Sequence, residues 1–225
     1  MITSIKLLKP KAILFDWDNT LADTWPVIHK ALGETFVAMG RDPWTIEETK
    51  RYVHKSMRDS FPELFGKDWE KAADIYYKSF LESHLTNLAT LPYALEMLEE
   101  TIKTGVYTAV VSNKTGKHLR AEVSSLGWDK FFRKIVGATD AESDKPTAAP
   151  VLLAMKDSGI TPSHDVWFIG DTVIDIECAI NSGCRPIFFG EHALPEEYKF
   201  DPKDLSPIIH VRNHHALAAM IKDFQ

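Results

Sequence analysis

Ala12-Ile13-Leu14-Phe15-Asp16-Trp17-Asp18-Asn19-Thr20 is an apolar run that breaks into two carboxylates one residue apart, with a hydroxyl two positions later. A strand ending at Asp16 aims that side chain out of the carboxyl edge of its sheet, where open α/β sheets gather ligands. In extended chain, residues i and i+2 face the same side, so Asp16 and Asp18 address one ligand while Trp17 turns away. Asp, Asn and Thr are also ordinary turn residues, and the pentapeptide alone reads equally as a surface turn. The decision rests with the rest of the chain.

At 225 residues the chain suits one large domain, or a core of ordinary size carrying an insertion. The net charge of -6 and the scattered lysines and arginines form no basic stripe, which argues against nucleic acid or an anionic membrane as the main partner. A small anionic metabolite stays open. Met1 to Pro10 lacks the apolar stretch of a signal peptide and no run has the length to span a bilayer, so the cytoplasm is the expected compartment. Cys178 and Cys184 match no zinc or redox spacing and are expected to be reduced and buried.

Short β-like runs occur at 12–16, 107–112, 134–137, 166–170, 186–189 and 208–211, with helical patterns between most of them. Leu95, Leu98 and Ile102 share a helical face after Pro92 at a first-turn position, and Gly105 stands where that helix should stop. Strands alternating with helices over short connections predict a doubly wound, mostly parallel α/β sheet covered on both faces. From Leu21 to about Leu88 no strand pattern is visible. Trp25, Ile28, Leu32, Phe36 and Met39 form one helical stripe there, and Trp69, Ala72, Ala73, Tyr76, Phe80 and Leu81 another. The expected organisation is a core of residues 1–21 and 89–225 with an inserted helical domain, 22–88. The insertion departs after the acidic pentapeptide, so it should sit over the carboxyl edge as a lid.

Three further strand ends decide the opening question. Val110-Val111-Ser112-Asn113-Lys114 ends the second core strand, Lys145-Pro146 follows the third, and Phe168-Ile169-Gly170-Asp171-Thr172-Val173-Ile174-Asp175 ends the fourth. Each has a plain explanation when taken singly: a helix cap, a loop charge, a first-turn acid. Four successive strands that deliver phosphate-binding or metal-binding groups to one edge do not.

In this order the segments resemble the four motifs of the haloacid dehalogenase superfamily, specifically its phosphatase branch with a helical cap after the first motif. Asp16 to Thr20 is similar to DxDxT, Ser112 to the hydroxyl of the second motif, Lys145 to the third, and Gly170 to Asp175 to GDxxxD. The resemblance implies a Rossmann-like core and Mg²⁺-dependent hydrolysis of a small phosphomonoester through an aspartyl-phosphate. It implies Asp16 as nucleophile, Asp18 as general acid and base, and Lys145 as the catalytic cation. Thr20, Ser112, the backbone of Asn113 and Lys145 would serve the phosphate, with the Thr20 hydroxyl also able to hold the acidic pair; Asp16, Asp171 and the backbone carbonyl of Asp18 would hold Mg²⁺, with Asp175 behind them contacting metal waters or orienting Lys145. Lys114 reads either as a phosphate ligand or as a solvent-facing charge.

Asp18 and the acids of the fourth motif speak against a metal-free dehalogenase or a Schiff-base phosphonatase. A phosphosugar mutase keeps all four motifs and is the nearest rival; a metal-binding or phosphoacceptor module without turnover is the rival from another class. Where the family usually has glycine this chain has Asn19, a residue that tolerates left-handed backbone. Tyr52 to Arg58 lies where related phosphatases carry a specificity loop, which makes His54, Lys55 and Arg58 candidates to contact the substrate, with a solvated helix face as the alternative. By architecture the nearest members are phosphoglycolate phosphatases.

Overall fold

The computed structural model describes residues 9–198 and 208–223, so the parts of the expected core at 1–8, 199–207 and 224–225 lie outside the described residues. Four strands carry the motif ends: β1 (Ala12–Phe15), β4 (Tyr107–Thr115), β5 (Lys134–Ala138) and β6 (Val166–Gly170). Two more, β7 (Arg185–Phe189) and β8 (Ile209–Val211), complete a six-stranded sheet in the order β5-β4-β1-β6-β7-β8. Every neighbouring pair in it is parallel. The remaining strands, β2 (Ala22–Asp23) and β3 (Ala89–Thr90), form a separate antiparallel ribbon. The sheet is wound outward from β1 in both directions, and the order reverses there, which makes the end of β1 the crevice where such folds bind ligands.

The alternation of β1 sorts the core into two layers. Ile13 and Phe15 pack with α5 (Ala94–Lys103), α6 (Gly116–Ser125) and α9 (His214–Lys222). Ala12 and Leu14 pack on the other face with α7 (Ala149–Met155) and α8 (Val173–Ser182). All four residues are fully buried, as a strand covered on both faces requires. Cys178 and Cys184 are buried and form no disulfide with each other. No helix among the described residues is long and apolar enough to cross a membrane.

Between β2 and β3 the chain forms a helical cap of α1 (Trp25–Ala38), α2 (Ile46–Tyr52), α3 (Met57–Phe65) and α4 (Trp69–Ser83). Leu32, Phe36, Phe61, Phe65, Ala72 and Ala73 make its own apolar core. The stripe on α1 is buried at Ile28, Leu32 and Phe36, whereas Leu81 of the α4 stripe is half exposed. Ala22 pairs with Thr90, so the chain leaves and re-enters the sheet domain side by side. This ribbon corrects the expectation of no strand from Leu21 to Leu88; two residues are too few to show a period.

The face of α5 is also corrected. Ala94, Met97, Leu98 and Thr101 are buried, while Leu95 and Ile102 are 37% and 43% exposed. Two overlapping i, i+3, i+7 stripes run along this helix one residue apart; the one that starts at Ala94 is buried, together with Leu98 of the other. Pro92 precedes the N-cap Tyr93, which has a φ of 64°, and so lies before the first turn. Gly105 follows the C-cap with a φ of 73°, where the left-handed backbone favours glycine. Met97→Ala is expected to lower the free energy of unfolding by about 2–5 kcal/mol, and Ile102→Ala by a small fraction of that. Urea titrations of both variants check the phase; equal losses would contradict it.

Candidate active site

Asp16 continues the ladder one residue past β1, its backbone N–H donating to the Ile169 carbonyl at 2.8 Å. Beyond it the chain turns tightly: Leu21 N–H and Ala22 N–H both donate to the Trp17 carbonyl. Asn19 takes the left-handed conformation, with a φ of 59°, as its residue type permits. The alternation is realised. Trp17 is fully buried in the core, while Asp16 and Asp18 both line a cavity of about 140 Å³ between the carboxyl edge and the cap.

Lys145 is the centre of the charged cluster. Its Nζ donates to Asp16 Oδ1 at 2.8 Å and to Asp175 Oδ1 at 2.6 Å, and all three side chains are buried. Asp175 also closes a capping box at the start of α8, its Oδ2 accepting from Thr172 N–H at 2.9 Å and from the Thr172 hydroxyl at 2.7 Å. Gly170 allows this approach, because a Cβ there would lie 2.3 Å from Asp175 Cγ. Thr20 donates to Asp171 Oδ1 at 3.1 Å and does not line the cavity, so its hydroxyl positions Asp171 where a phosphate contact was expected.

Asp16, Asp171 and Asp175 each present an oxygen within 4.8 Å of the others. Burial pushes the Asp16 carboxyl up to about 7, against the pull of Lys145, with the Asp175 and Asp18 charges adding to the rise. Burial, with the Asp175 and Asp16 charges, pushes Asp171 well above the carboxylate range. Burial opposes the charge on Lys145, but Asp16 and Asp175 outweigh it and raise its pKa. Three buried acids facing one lysine leave the cluster short of positive charge. Hard oxygen donors in an anionic pocket fit a divalent cation such as Mg²⁺.

Ser112 is buried at the end of β4 and lines the cavity. The Asn113 side chain is directed at the Lys145 backbone: its Oδ1 accepts from Lys145 N–H at 3.0 Å and its Nδ2 donates to the Lys145 carbonyl at 3.1 Å. That leaves only the Asn113 backbone for a phosphate.

Lys114 is not a solvent-facing charge. Its side chain is 6% exposed, with Nζ 2.7 Å from Asp18 Oδ1 and 2.7 Å from Glu122 Oε2. Glu122, buried on α6, also accepts from Trp17 Nε1 at 2.7 Å and pairs with His84 Nδ1 at 3.0 Å. The sequence reading missed Glu122 and His84. An acid between Leu119 and Val123 on a buried helical stripe was the available signal for the first; nothing local marks the second.

The cap residues divide. His54 and Lys55 lie in the loop between α2 and α3 and line the cavity. Arg58, in the first turn of α3, does not; its Nε and Nη2 donate to both oxygens of buried Asp144, each at 2.6 Å. Asp144 directly precedes Lys145, so the expected substrate contact at Arg58 is corrected to a tie between cap and core. Tyr77 and Thr115 make a second tie, hydroxyl to hydroxyl at 2.6 Å.

Residues 13–189 match the family model of haloacid dehalogenase-like hydrolases. A Pseudomonas aeruginosa protein named phosphoglycolate phosphatase 1 is 27% identical over 83% of this chain and 72% of its own. N-acetylmuramic acid 6-phosphate phosphatase of the same organism is 30% identical over 80% of this chain and 82% of its own. Among solved structures, a haloacid dehalogenase-superfamily hydrolase from Ehrlichia chaffeensis is 28% identical and superposes with a TM-score of 0.65 over 97% of this chain and 98% of that one.

A carboxylate whose pKa is higher folded than unfolded stabilises the fold fully only below its unfolded value, and that contribution is lost as pH rises through the folded value, here about 7 for Asp16. A divalent cation that binds the ionised acids offsets the loss. Thermal unfolding in EDTA and in Mg²⁺ should therefore show a stabilisation by the cation that grows from about pH 5 to about pH 8. A cation effect independent of pH would contradict this electrostatic account.

Proposed function

The chain belongs to the haloacid dehalogenase-like hydrolase family, and we propose that it is a Mg²⁺-dependent phosphatase that hydrolyses a small phosphomonoester through an aspartyl-phosphate. The observation that carries this reading is the division of the two acids of Asp16-Trp17-Asp18 between two lysines. Asp16 shares Lys145 with Asp175, and Asp18 pairs with Lys114. Each acid thus has its own electrostatic setting, as a nucleophile and a proton carrier require.

Asp16, Asp171 and the Asp18 carbonyl would hold Mg²⁺, which when bound supplies positive charge to the phosphoryl oxygens and to the Asp16 carboxylate. An Asp16 oxygen attacks phosphorus in line, the ester P–O bond breaks, and Asp18 gives its proton to the departing alkoxide. Asp18 then takes a proton from water, the water oxygen bonds to phosphorus, the bond to Asp16 breaks, and inorganic phosphate leaves. Lys145 favours the ionised form of Asp16 and neutralises charge on the equatorial oxygens. Ser112 Oγ and the Asn113 N–H donate to those oxygens. Lys114 orients the Asp18 carboxyl through its 2.7 Å ion pair.

Residues 22–88 act as the cap on a core of 1–21 and 89–225, hinged at the two-stranded ribbon, and exclude water from the aspartyl-phosphate. Phosphatase names among the relatives, together with a complete acid and lysine set, support turnover over a mutase or a silent phosphoacceptor. Phosphoglycolate, named for one relative, is the first ester to test.

A panel of small phosphomonoesters assayed with Mg²⁺ or EDTA should show turnover only with the cation, and Asp16→Asn should lower kcat by about 10³-fold or more. Undiminished release of phosphate by the variant, or in EDTA, would sink the mechanism.

A further inference from the structure

The cavity has two unlike halves. Its floor is the charged edge of the sheet, and its roof is largely ring-lined, with Trp25, Tyr52, Phe61, Tyr76, Tyr77 and Phe80 from the cap. Each lysine that lines it already faces a carboxylate: Lys145 has Asp16 and Asp175, Lys114 has Asp18 and Glu122, and Lys55 has Glu63 at 2.9 Å. Arg58 is committed to Asp144 outside the lining. The two imidazoles in the lining, His54 and His118, are both held toward their neutral forms by burial. A carboxylate on the leaving group would thus be desolvated against aromatic rings, with no uncommitted cation among the described lining residues to receive it.

One polar atom of the roof stands apart. His54 Nε2 lies 2.7 Å from the Arg51 carbonyl, so this nitrogen carries the proton and donates. Nδ1 of the neutral ring is then an acceptor, and it is buried without a partner among the described residues. Buried acceptors in folded proteins are nearly always satisfied, and one in a ligand cavity invites a donor from the ligand.

Resting on the phosphatase reading above, we propose that the leaving group is a neutral alcohol with an apolar or ring-shaped body, carrying a hydroxyl or N–H that donates to His54 Nδ1. The rings supply apolar contact along the body, and His54 Nδ1 accepts from its donor. Discrimination against a carboxylate follows from the absence of a counter-charge, and discrimination for the hydroxyl follows from one acceptor that otherwise stays unpaired.

Four esters test it in Mg²⁺: phosphoglycolate, its neutral counterpart ethylene glycol monophosphate, benzyl phosphate and hydroxymethylbenzyl phosphate. In the wild type, kcat/KM for ethylene glycol monophosphate and for benzyl phosphate should each exceed that for phosphoglycolate by about tenfold or more. Hydroxymethylbenzyl phosphate should outpace benzyl phosphate in the wild type, and His54→Phe should erase that ratio, which is read within one variant and so is independent of the amount of folded enzyme. Should the variant not fold, the wild-type comparison of phosphoglycolate with its neutral counterpart decides alone. Phosphoglycolate as the best ester, or a hydroxymethyl advantage that survives in His54→Phe, would overturn the proposal while leaving the phosphatase intact. Failure of the wild type to exceed Asp16→Asn on any ester would remove the phosphatase reading, and this one with it.

Discussion

The structure depends on a buried charge imbalance: Lys145 stands between Asp16 and Asp175, with Asp171 close behind, and no other ion pair among the described residues neutralises the remaining acid. Burying carboxylates without full compensation is costly, so neighbouring elements are arranged to hold them. Gly170 lets Asp175 close in, Thr172 bonds it, Thr20 bonds Asp171, and Asn113 grips the Lys145 backbone from both sides. Each comes from a strand end or the helix that follows it. The parallel sheet brings them together because all these strands point the same way.

A second network stands beside the first and concerns Asp18. Lys114 bridges Asp18 to Glu122, and Glu122 in turn receives Trp17 from the first strand's extension and His84 from the end of the cap. Trp17 is therefore more than a spacer between two acids. Its ring anchors in the core, 5.8 Å from that of Trp128, and its N–H holds the acid that holds the lysine of Asp18. The cap joins this network through His84 and the Lys145 loop through Arg58 and Asp144.

Much of this was legible in the chain because it is local. Apolar runs ending in acids mark strand ends, Asn19 marks a left-handed turn, and Gly170 before Asp171 marks a close approach; each signal and its consequence lie within a few residues. What was not legible is long-range pairing. Trp17 meets Glu122 across 105 positions and Arg58 meets Asp144 across 86, and no period or motif announces such partners. Neither alternative for Lys114, phosphate ligand or solvent-facing charge, included its pairing with Asp18 and Glu122, and neither for Arg58, substrate contact or solvated face, included Asp144, for this one reason. The phase of α5 failed for another: Leu95 and Ile102 are more hydrophobic than Ala94 and Thr101, but packing selects the face that fits the sheet.

The central claim is that Asp16, held by Lys145, carries the phosphoryl group while Asp18 controls its release. Mass spectrometry of acid-quenched Asp18→Asn, mixed with Mg²⁺ and p-nitrophenyl phosphate, whose leaving group departs without an acid, tests it most directly. The expected result is a phosphoryl group on the peptide that contains Asp16, accumulating because the base for its hydrolysis is gone. A phosphoryl group on any other residue, or unimpaired phosphate release with no modified enzyme, would contradict the account.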